Sequence, residues 1–226
     1  MSYKGEKEKY TTNKHLVWEL AKYRDMDRVE FITKECGDNF VLQEGSNVTN
    51  IIVPAKTQKN KITVMAHHDI YPGSAGFNDN STGVAMLVRL VGRVKDNVEL
   101  VFTDKEEFGG RGCRHYLENW ARPVSAINVD VVGLDGTIFY EMYGEVKAFK
   151  IPKHVKYYAG VPFSDSHILR QYEVPNILMC TGLRGDSLIS DIFEAQHGGV
   201  HDADFDLISE DMLVDVFQTL LMMVGN

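Results

Sequence analysis

The chain has 226 residues, of which 44% are hydrophobic and 25% are charged, and its formal net charge is −8. This composition suits a soluble globular protein, and we expect a single domain over residues 1–226. The acidic balance and the lack of a basic stripe argue against a nucleic-acid partner. No apolar run approaches the ~20 residues that a membrane span needs, so we expect no membrane partner.

The N-terminal sequence MSYKGEKEKY contains no apolar segment of the kind found in secretory signals, which predicts a cytoplasmic protein. The three cysteines, Cys36, Cys113 and Cys180, form no C-x-x-C pair. Their spacing disfavours both a disulfide framework and a structural zinc cage. We therefore expect reduced thiols that behave as small buried hydrophobic residues.

Hydrophobic periodicity predicts helices and strands that alternate along most of the chain. It predicts a helix over 12–35, with Thr or Asn as the N-cap, followed by two strands, FVLQE and VTNIIVP, that could form a hairpin. The other predicted strands cover 61–66, 98–103, 125–133, 137–143 and 174–180. The other predicted helices cover 81–94, 113–121, 164–172 and 209–224.

This alternation predicts an α/β fold of three layers, in which a mostly parallel, mixed central sheet is flanked by helices. In open sheets of this kind, sites form at the carboxyl ends of the strands. Polar side chains occur at those strand ends here, and one more lies in a turn that precedes a helix. They are His67, His68, Asp69, Asp79, Asp104, Glu106, Glu107 and Asp130.

Several of these residues also have an ordinary structural interpretation. Asp79 could cap a helix, and Glu106 and Glu107 could be a solvated pair. Asp130 is more informative, because it interrupts an apolar run in which an unpaired charge would be costly. Taken together the residues predict a metal site, since a dication offsets the mutual repulsion of buried carboxylates.

The ordered motifs AHHD, GFNDNSTG, EEFGGRG, INVDVVG, SDSH and VHDADFD resemble those of the di-zinc aminopeptidase family. That family also includes glutaminyl cyclases and relatives of glutamate carboxypeptidase. The resemblance implies a phosphorylase/hydrolase-like zinc exopeptidase fold. It also implies a metal-dependent enzyme that removes N-terminal residues from a peptide or a small aminoacyl substrate.

Position by position, the resemblance implies two Zn²⁺ ions per chain, held by five ligands. Asp79 would bridge the two metals. His67 and Asp130 would complete one site, and Glu107 and His201 would complete the other. Nitrogen and oxygen ligands of this kind suit zinc, and they can also hold cobalt or manganese.

The resemblance gives catalytic roles to two further residues. Glu106 would be the general base that takes a proton from the attacking water. Asp69 would orient His67 through the second nitrogen of its ring.

Two histidine assignments stay open in the sequence. His67 and His68 are adjacent, so a continuing strand would point them to opposite sides, and the H-x-D spacing to Asp69 favours His67 as the ligand. His197 and His201 both occur in the late motif. The resemblance favours His201, because the late histidine of the family precedes an acidic stretch that leads into the final helix, as His201 does here.

The chain also departs from the family pattern. Where the family usually shows S-D-H, this chain has SDSH, so Asp165 and His167 receive no definite role. The short segment between Asp130 and Ser164 predicts an open cleft, or a pocket completed by another copy in a homo-oligomer. The alternatives to an aminopeptidase are a single-zinc acyltransferase of the glutaminyl cyclase kind, a carboxypeptidase or amidohydrolase of the same fold, and an inactive scaffold. The complete ligand set favours hydrolysis.

Overall fold

The computed structural model describes residues 10–160, 163–183 and 200–226, and the side chains of 183, 200 and 201 lie outside that description. The strands are β1 (Val41–Gly45), β2 (Val48–Val53), β3 (Ile62–His67), β4 (Val98–Thr103), β5 (Ser125–Val129), β6 (Gly136–Tyr143), β7 (Lys156–Tyr157) and β8 (Asn176–Leu183). In the described part of the chain they form one sheet in the order β1-β2-β4-β3-β5-β8-β6-β7.

The helices are α1 (Asn13–Ala21), α2 (Asp25–Cys36), α3 (Gly83–Leu90), α4 (Arg111–Asn119), α5 (Asp165–Gln171), α6 (Val200–Ala203) and α7 (Glu210–Val224). A kinked turn (Phe77–Thr82), non-helical at Asp79 and Asn80, precedes α3, and a 3₁₀ turn (Phe205–Leu207) precedes α7. Within the described ranges, no helix combines the length and the apolar character needed to cross a membrane.

The centre of the sheet is parallel. Strand β3 pairs in parallel with β4 and β5, and β5 pairs in parallel with β8. The β1–β2 hairpin and β6 add antiparallel pairs on either side. The predicted α/β class with a mixed, mostly parallel sheet is therefore confirmed, and the carboxyl ends of the four central strands meet at one edge.

Helices cover both faces of this sheet. Alternate residues of β3 point to opposite sides, so Val64 and Ala66 join a large core with α1, α2, α3 and α7. Met65 joins a smaller core with α4 and α5 on the other face. Because both faces are buried, the central strands are almost continuously apolar in sequence.

The helix predicted over 12–35 is in fact two helices, α1 and α2, which is a correction to the sequence prediction. The chain becomes extended at Arg24, with φ −133° and ψ 156°. The guanidinium of Arg24 donates to the carbonyl oxygen of Ala21, and that of Arg28 donates to the carbonyl oxygen of Leu20. These side chains thus satisfy the last carbonyls of α1, which a continuous helix would have used for its own hydrogen bonds.

Two other predicted elements are shorter than expected. Helix α3 ends at Leu90, because Gly92 adopts a left-handed conformation with φ +74°. Strand β5 ends at Val129, and Val131 has φ +47°, so Asp130 lies just beyond the strand rather than inside it.

A buried ion pair connects Lys61, the residue before β3, to Glu99 of β4 beside the smaller core. The Nζ atom of Lys61 lies 2.7 Å from Oε1 of Glu99, and the two residues are 1% and 0% exposed. Glu99 also accepts hydrogen bonds from the hydroxyl of Tyr116 at 2.6 Å and from Nε1 of Trp120 at 2.9 Å. Both oxygens of the buried Glu99 carboxylate therefore accept hydrogen bonds.

We expect Lys61→Met to lower the free energy of unfolding by about 3–5 kcal/mol, because it leaves Glu99 as a buried charge without its cation. Urea denaturation measures the change. Lys56→Met is the matched control, since the pair of Lys56 with Asp96 is mostly exposed and should contribute little. Equal losses of stability in the two variants would contradict this account of the core.

Candidate metal centre

The carboxyl edge of the sheet gathers one histidine and four carboxylates. His67 is the last residue of β3, Glu106 and Glu107 follow β4, and Asp130 follows β5. Asp79 reaches the same place from the kinked turn before α3, where its own backbone is non-helical. Glu107 is half-buried and the other four are buried. Parallel strand ends and a helix-forming turn thus bring residues far apart in sequence into one cluster.

Two overlapping groups in this cluster have the geometry of a metal site. Nε2 of His67 lies 3.0 Å from Oδ1 of Asp79 and 3.5 Å from Oδ1 of Asp130. The ligand atoms of these three residues all lie within 4.8 Å of one another, and the same holds for His67, Glu106 and Glu107. Within the described residues, each group could hold a cation.

Asp69 connects the end of β3 to the loop after β4. Its backbone oxygen lies 3.2 Å from Nδ1 of His67, and its Oδ1 lies 3.4 Å from the same nitrogen. Its carboxylate accepts hydrogen bonds from the backbone N–H groups of Glu106 and Glu107, at 3.0 and 3.2 Å. Because a carbonyl oxygen only accepts, Nδ1 of His67 carries a proton. Asp69 therefore orients the His67 ring and the two glutamates together.

The carboxylates of the cluster disfavour each other's charge. Burial, followed by the charge of Asp79, raises the pKa of Glu107 to about 8. Burial also raises the pKa of Glu106 well above its ordinary value, and the charges of Asp130 and Asp165 add to that shift. The pKa of Asp130 is raised by burial as well. The site is thus crowded with negative charge that needs an opposite charge.

The properties of His67 and Asp130 fit a divalent cation. Burial alone lowers the pKa of His67, but the nearby carboxylates, led by Asp130, outweigh it and hold that pKa well above its ordinary value. The buried Oδ1 of Asp130 accepts no hydrogen bond from the residues that the structure describes. A buried oxygen without a hydrogen bond is costly, although this one lies 3.5 Å from Nε2 of His67, and a divalent cation would both bind it and offset the repulsion among the carboxylates.

Buried polar side chains hold the Asp79 turn against the segment that carries Asp130. Oδ1 of Asn78 accepts from the N–H of Gly133 at 2.8 Å. Nδ2 of Asn80 donates to the carbonyl oxygen of Val129 at 2.9 Å. The motif NDNSTG is therefore polar because its side chains replace the backbone partners that a regular helix would provide.

The glycines after Glu107 allow a close approach of α4 to the end of β4. Gly109 and Gly110 have φ values of +87° and +66°, which side chains rarely adopt. A Cβ atom at Gly112 would lie 2.1 Å from the backbone oxygen of Asp104. In the motif EEFGGRG, the glycines thus form a tight turn shortly after the two glutamates.

His68 faces away from the cluster. Its Nε2 lies 2.9 Å from the backbone oxygen of Thr49, and burial lowers its pKa. With residues of α2 and of the β1–β2 turn, it lines a cavity of about 880 Å³ that Asp69 also borders. Of the two adjacent histidines, the structure brings His67 alone into the cluster.

The SDSH motif separates Asp165 from His167. Asp165 is fully buried, and its Oδ2 accepts a hydrogen bond from the hydroxyl of Thr103 at 2.5 Å. Burial raises the pKa of Asp165 to about 7. His167 instead completes a capping box with Ser164 and stacks on the ring of Phe163, at 5.3 Å between ring centroids. The charge of Asp165 thus helps to raise the pKa of Glu106, whereas His167 belongs to the cap at the start of α5.

The late histidines fall outside the description of the site. His197 lies outside the described residues, and His201 belongs to α6 with a side chain that is likewise outside them. The choice of His201 as a ligand stays a prediction. Its neighbour Asp202 is fully buried and accepts a hydrogen bond from the backbone N–H of Asp79. Asp202 was not among the candidate residues selected from the sequence. The only sequence signal for Asp202 was its position next to a candidate ligand.

These features define an α/β protein with a cluster of one histidine and several carboxylates at the carboxyl edge of its sheet that could hold a metal ion. The family model described as peptidase family M28 matches residues 47–179, which is more than half of the chain and includes the whole cluster from His67 to Asp130. The chain therefore belongs to peptidase family M28. This confirms the resemblance identified from the sequence motifs.

Individual relatives are more distant. The probable lipoprotein aminopeptidase LpqL of Mycobacterium tuberculosis is 32% identical over 99 residues, which cover 40% of this chain and 18% of LpqL. The glutaminyl cyclase of Bacteroides thetaiotaomicron bound to N-acetylhistamine superposes with a TM-score of 0.73 at 16% identity, covering 95% of this chain and 97% of the cyclase. The zinc aminopeptidase BSAP of Bacillus subtilis gives a TM-score of 0.62 at 18% identity, covering 76% and 48%.

At sequence identities of 16% and 18%, the two structural matches show that the folds are similar. The chain spans less than a fifth of the curated relative and about half of the Bacillus enzyme.

Proposed function

We propose that this chain is a metal-dependent aminopeptidase. The observation that carries the proposal is the convergence of His67, Asp79, Glu106, Glu107 and Asp130 at one edge of the sheet. Membership of peptidase family M28 supports peptide hydrolysis, and the names of LpqL and BSAP support an aminopeptidase.

The proposed metal site holds two zinc ions. Asp79 is the proposed bridge between them, with His67 and Asp130 at one metal and Glu107 and His201 at the other. Support comes from the distances among His67, Asp79 and Asp130 and from the nearby position of Glu107. All five residues offer the nitrogen or oxygen atoms that zinc prefers.

Glu106 is the proposed general base. Zinc ions, when bound, polarise the scissile carbonyl and make water a better nucleophile at neutral pH. Glu106 accepts the proton of the attacking water and returns it to the leaving amine. Its place beside His67 and Glu107 supports this role, because a carboxylate there can reach a water molecule held near the same group of ligand atoms. Asp69 keeps Glu106 and His67 in position through the contacts described above.

The test combines zinc content per chain with hydrolysis of matched free and N-acetylated aminoacyl amides. We expect about two zincs per chain and cleavage of the free-amine substrates only. Cleavage of the acetylated substrates alone would support an amidohydrolase instead. Absence of metal from protein prepared with excess zinc would contradict the proposal and favour the scaffold alternative.

A glutaminyl cyclase activity is the second candidate. The observation that favours it is the near-complete overlap with the Bacteroides cyclase, because the two chains cover 95% and 97% of each other. The same protein should be assayed with glutaminyl peptides. One zinc per chain, with ammonia release from glutaminyl peptides and no hydrolysis of aminoacyl amides, would select the cyclase.

The adjacent histidines provide a matched pair of variants. We expect His67→Ala to remove about one of the two zincs per chain and most of the activity, because Nε2 of its ring lies 3.0 Å from Asp79 and 3.5 Å from Asp130. His68→Ala should have a milder effect, since His68 contacts Thr49 on the other side of the strand end. Zinc titration and amidase assays measure both. The reverse order of effects would transfer the ligand role to His68.

A peptide or small aminoacyl compound is the proposed substrate. A homo-oligomeric state, a cytoplasmic location and the absence of nucleic-acid and membrane partners stay predictions from the sequence.

A further inference from the structure

A fully buried aspartate outside the predicted ligand set contacts the turn that carries Asp79. Asp202 is 0% exposed, and Oδ1 of its carboxylate accepts hydrogen bonds from the backbone N–H groups of Asn78 and Asp79, both at 2.9 Å. Its Oδ2 accepts from the N–H of Gly76 at 3.0 Å and from the hydroxyl of Ser74. One carboxylate thus satisfies three backbone donors of a single turn.

These contacts span a long sequence separation. Asp79 and Asp202 are 123 residues apart, and Asp202 belongs to α6, directly after His201. Oδ1 of Asp79 lies 3.0 Å from Nε2 of His67, while the backbone N–H of Asp79 is held by Asp202. The position from which Asp79 reaches the cluster is therefore set by a residue of a different segment.

We propose that Asp202 is a positioning residue that forms a clamp, by which we mean the hydrogen bonds from the Asp79 turn to its carboxylate. The clamp holds this turn against α6, the helix to which His201 belongs, and so fixes the position of Asp79 relative to that helix. Charged hydrogen bonds to buried N–H groups are strong, and removing the acceptor leaves those donors unsatisfied. The consequence for metal binding rests on the proposed function, whereas the clamp itself is a property of the protein without metal.

Asp202→Asn tests the clamp with little change in volume. Both oxygens of Asp202 accept hydrogen bonds, so the amide group of asparagine must face donors on one side and lose those contacts. Asp204→Asn is the matched control. Asp204 is exposed, and its carboxylate caps the 3₁₀ turn by accepting from the N–H of Asp206 at 2.9 Å.

The first measurement is hydrogen exchange of the peptide covering residues 74–82 in the metal-free proteins. We expect faster exchange of this peptide in Asp202→Asn than in the wild type and in Asp204→Asn, with unchanged exchange in β3 and β5. Unchanged exchange at 74–82, or an equal rise throughout the sheet, would overturn the clamp.

The second measurement is zinc affinity, determined by competition with a chromogenic chelator. We expect Asp202→Asn to weaken it by about 10- to 100-fold, the range usual for residues that orient metal ligands, and Asp204→Asn to leave it unchanged. Unaltered zinc affinity in Asp202→Asn would overturn the positioning role while leaving the proposed function intact. A wild-type protein that takes up no zinc would refute the proposed function, and exchange at 74–82 would still decide the clamp.

Discussion

Glu106→Gln is expected to lower kcat for aminoacyl amide hydrolysis by about 10²- to 10⁴-fold while leaving zinc content and fold unchanged. The glutamine side chain has nearly the same shape, but its amide cannot accept a proton from water. The backbone N–H of Glu106 donates to Asp69, so the contact that holds the loop does not depend on the substituted group. Steady-state kinetics and metal analysis of the same preparation measure the two quantities.

Glu107→Gln is the matched control, because the two glutamates are adjacent and both contribute an atom to one group with His67. As the proposed ligand, Glu107 should affect zinc affinity first, and excess zinc should restore part of the activity of its variant. Excess zinc should not restore Glu106→Gln. If Glu106→Gln lost zinc and Glu107→Gln kept it, the roles of the two residues would be exchanged.

Asp79→Ala is expected to reduce the zinc content from about two ions per chain towards none. The reason is its proposed place between the two metals, supported by the 3.0 Å approach of Oδ1 to His67. Loss of a bridging carboxylate also increases the repulsion between the two cations. Metal analysis after dialysis against a weak chelator measures the change.

Asp130→Ala provides the comparison for this prediction. Asp130 lies 3.5 Å from His67 in the same group but is proposed to serve one metal only. Its substitution should therefore remove about one zinc and leave the other. Equal losses of one zinc in both variants would refute the bridge and assign Asp79 to a single metal.

Much of the fold was predictable from local pattern. The apolar runs of β3 and β4 are buried on both faces, and such runs are typical of central parallel strands. The hairpin of β1 and β2 was predictable because its strands are separated by a short turn. The break between α1 and α2 was not, because the periodicity of apolar residues continues across it. It depends on Arg24 and Arg28, whose side chains satisfy carbonyls of the preceding helix.

Part of the candidate site was also predictable from local pattern. Motif order and the position of polar residues after apolar strands were enough to select His67, Asp69, Asp79, Glu107 and Asp130 for the same edge of the sheet. Strand alternation also anticipated that His67 and His68 face opposite sides. These properties depend on residue type and spacing, which are local.

The sequence by itself determined the α/β class and the family resemblance, and it selected side chains that cluster at one edge of the sheet, among them His67, Asp79 and Asp130. Only the tertiary structure decided that Asp69 connects His67 to both glutamates and that Asp202 holds the Asp79 turn. The physical reason is that periodicity reports which face of an element is buried. Hydrogen bonds between residues 37 or 123 positions apart, as for Asp69 with Glu106 and Asp202 with Asp79, arise only when separate elements pack together, and no local pattern records them.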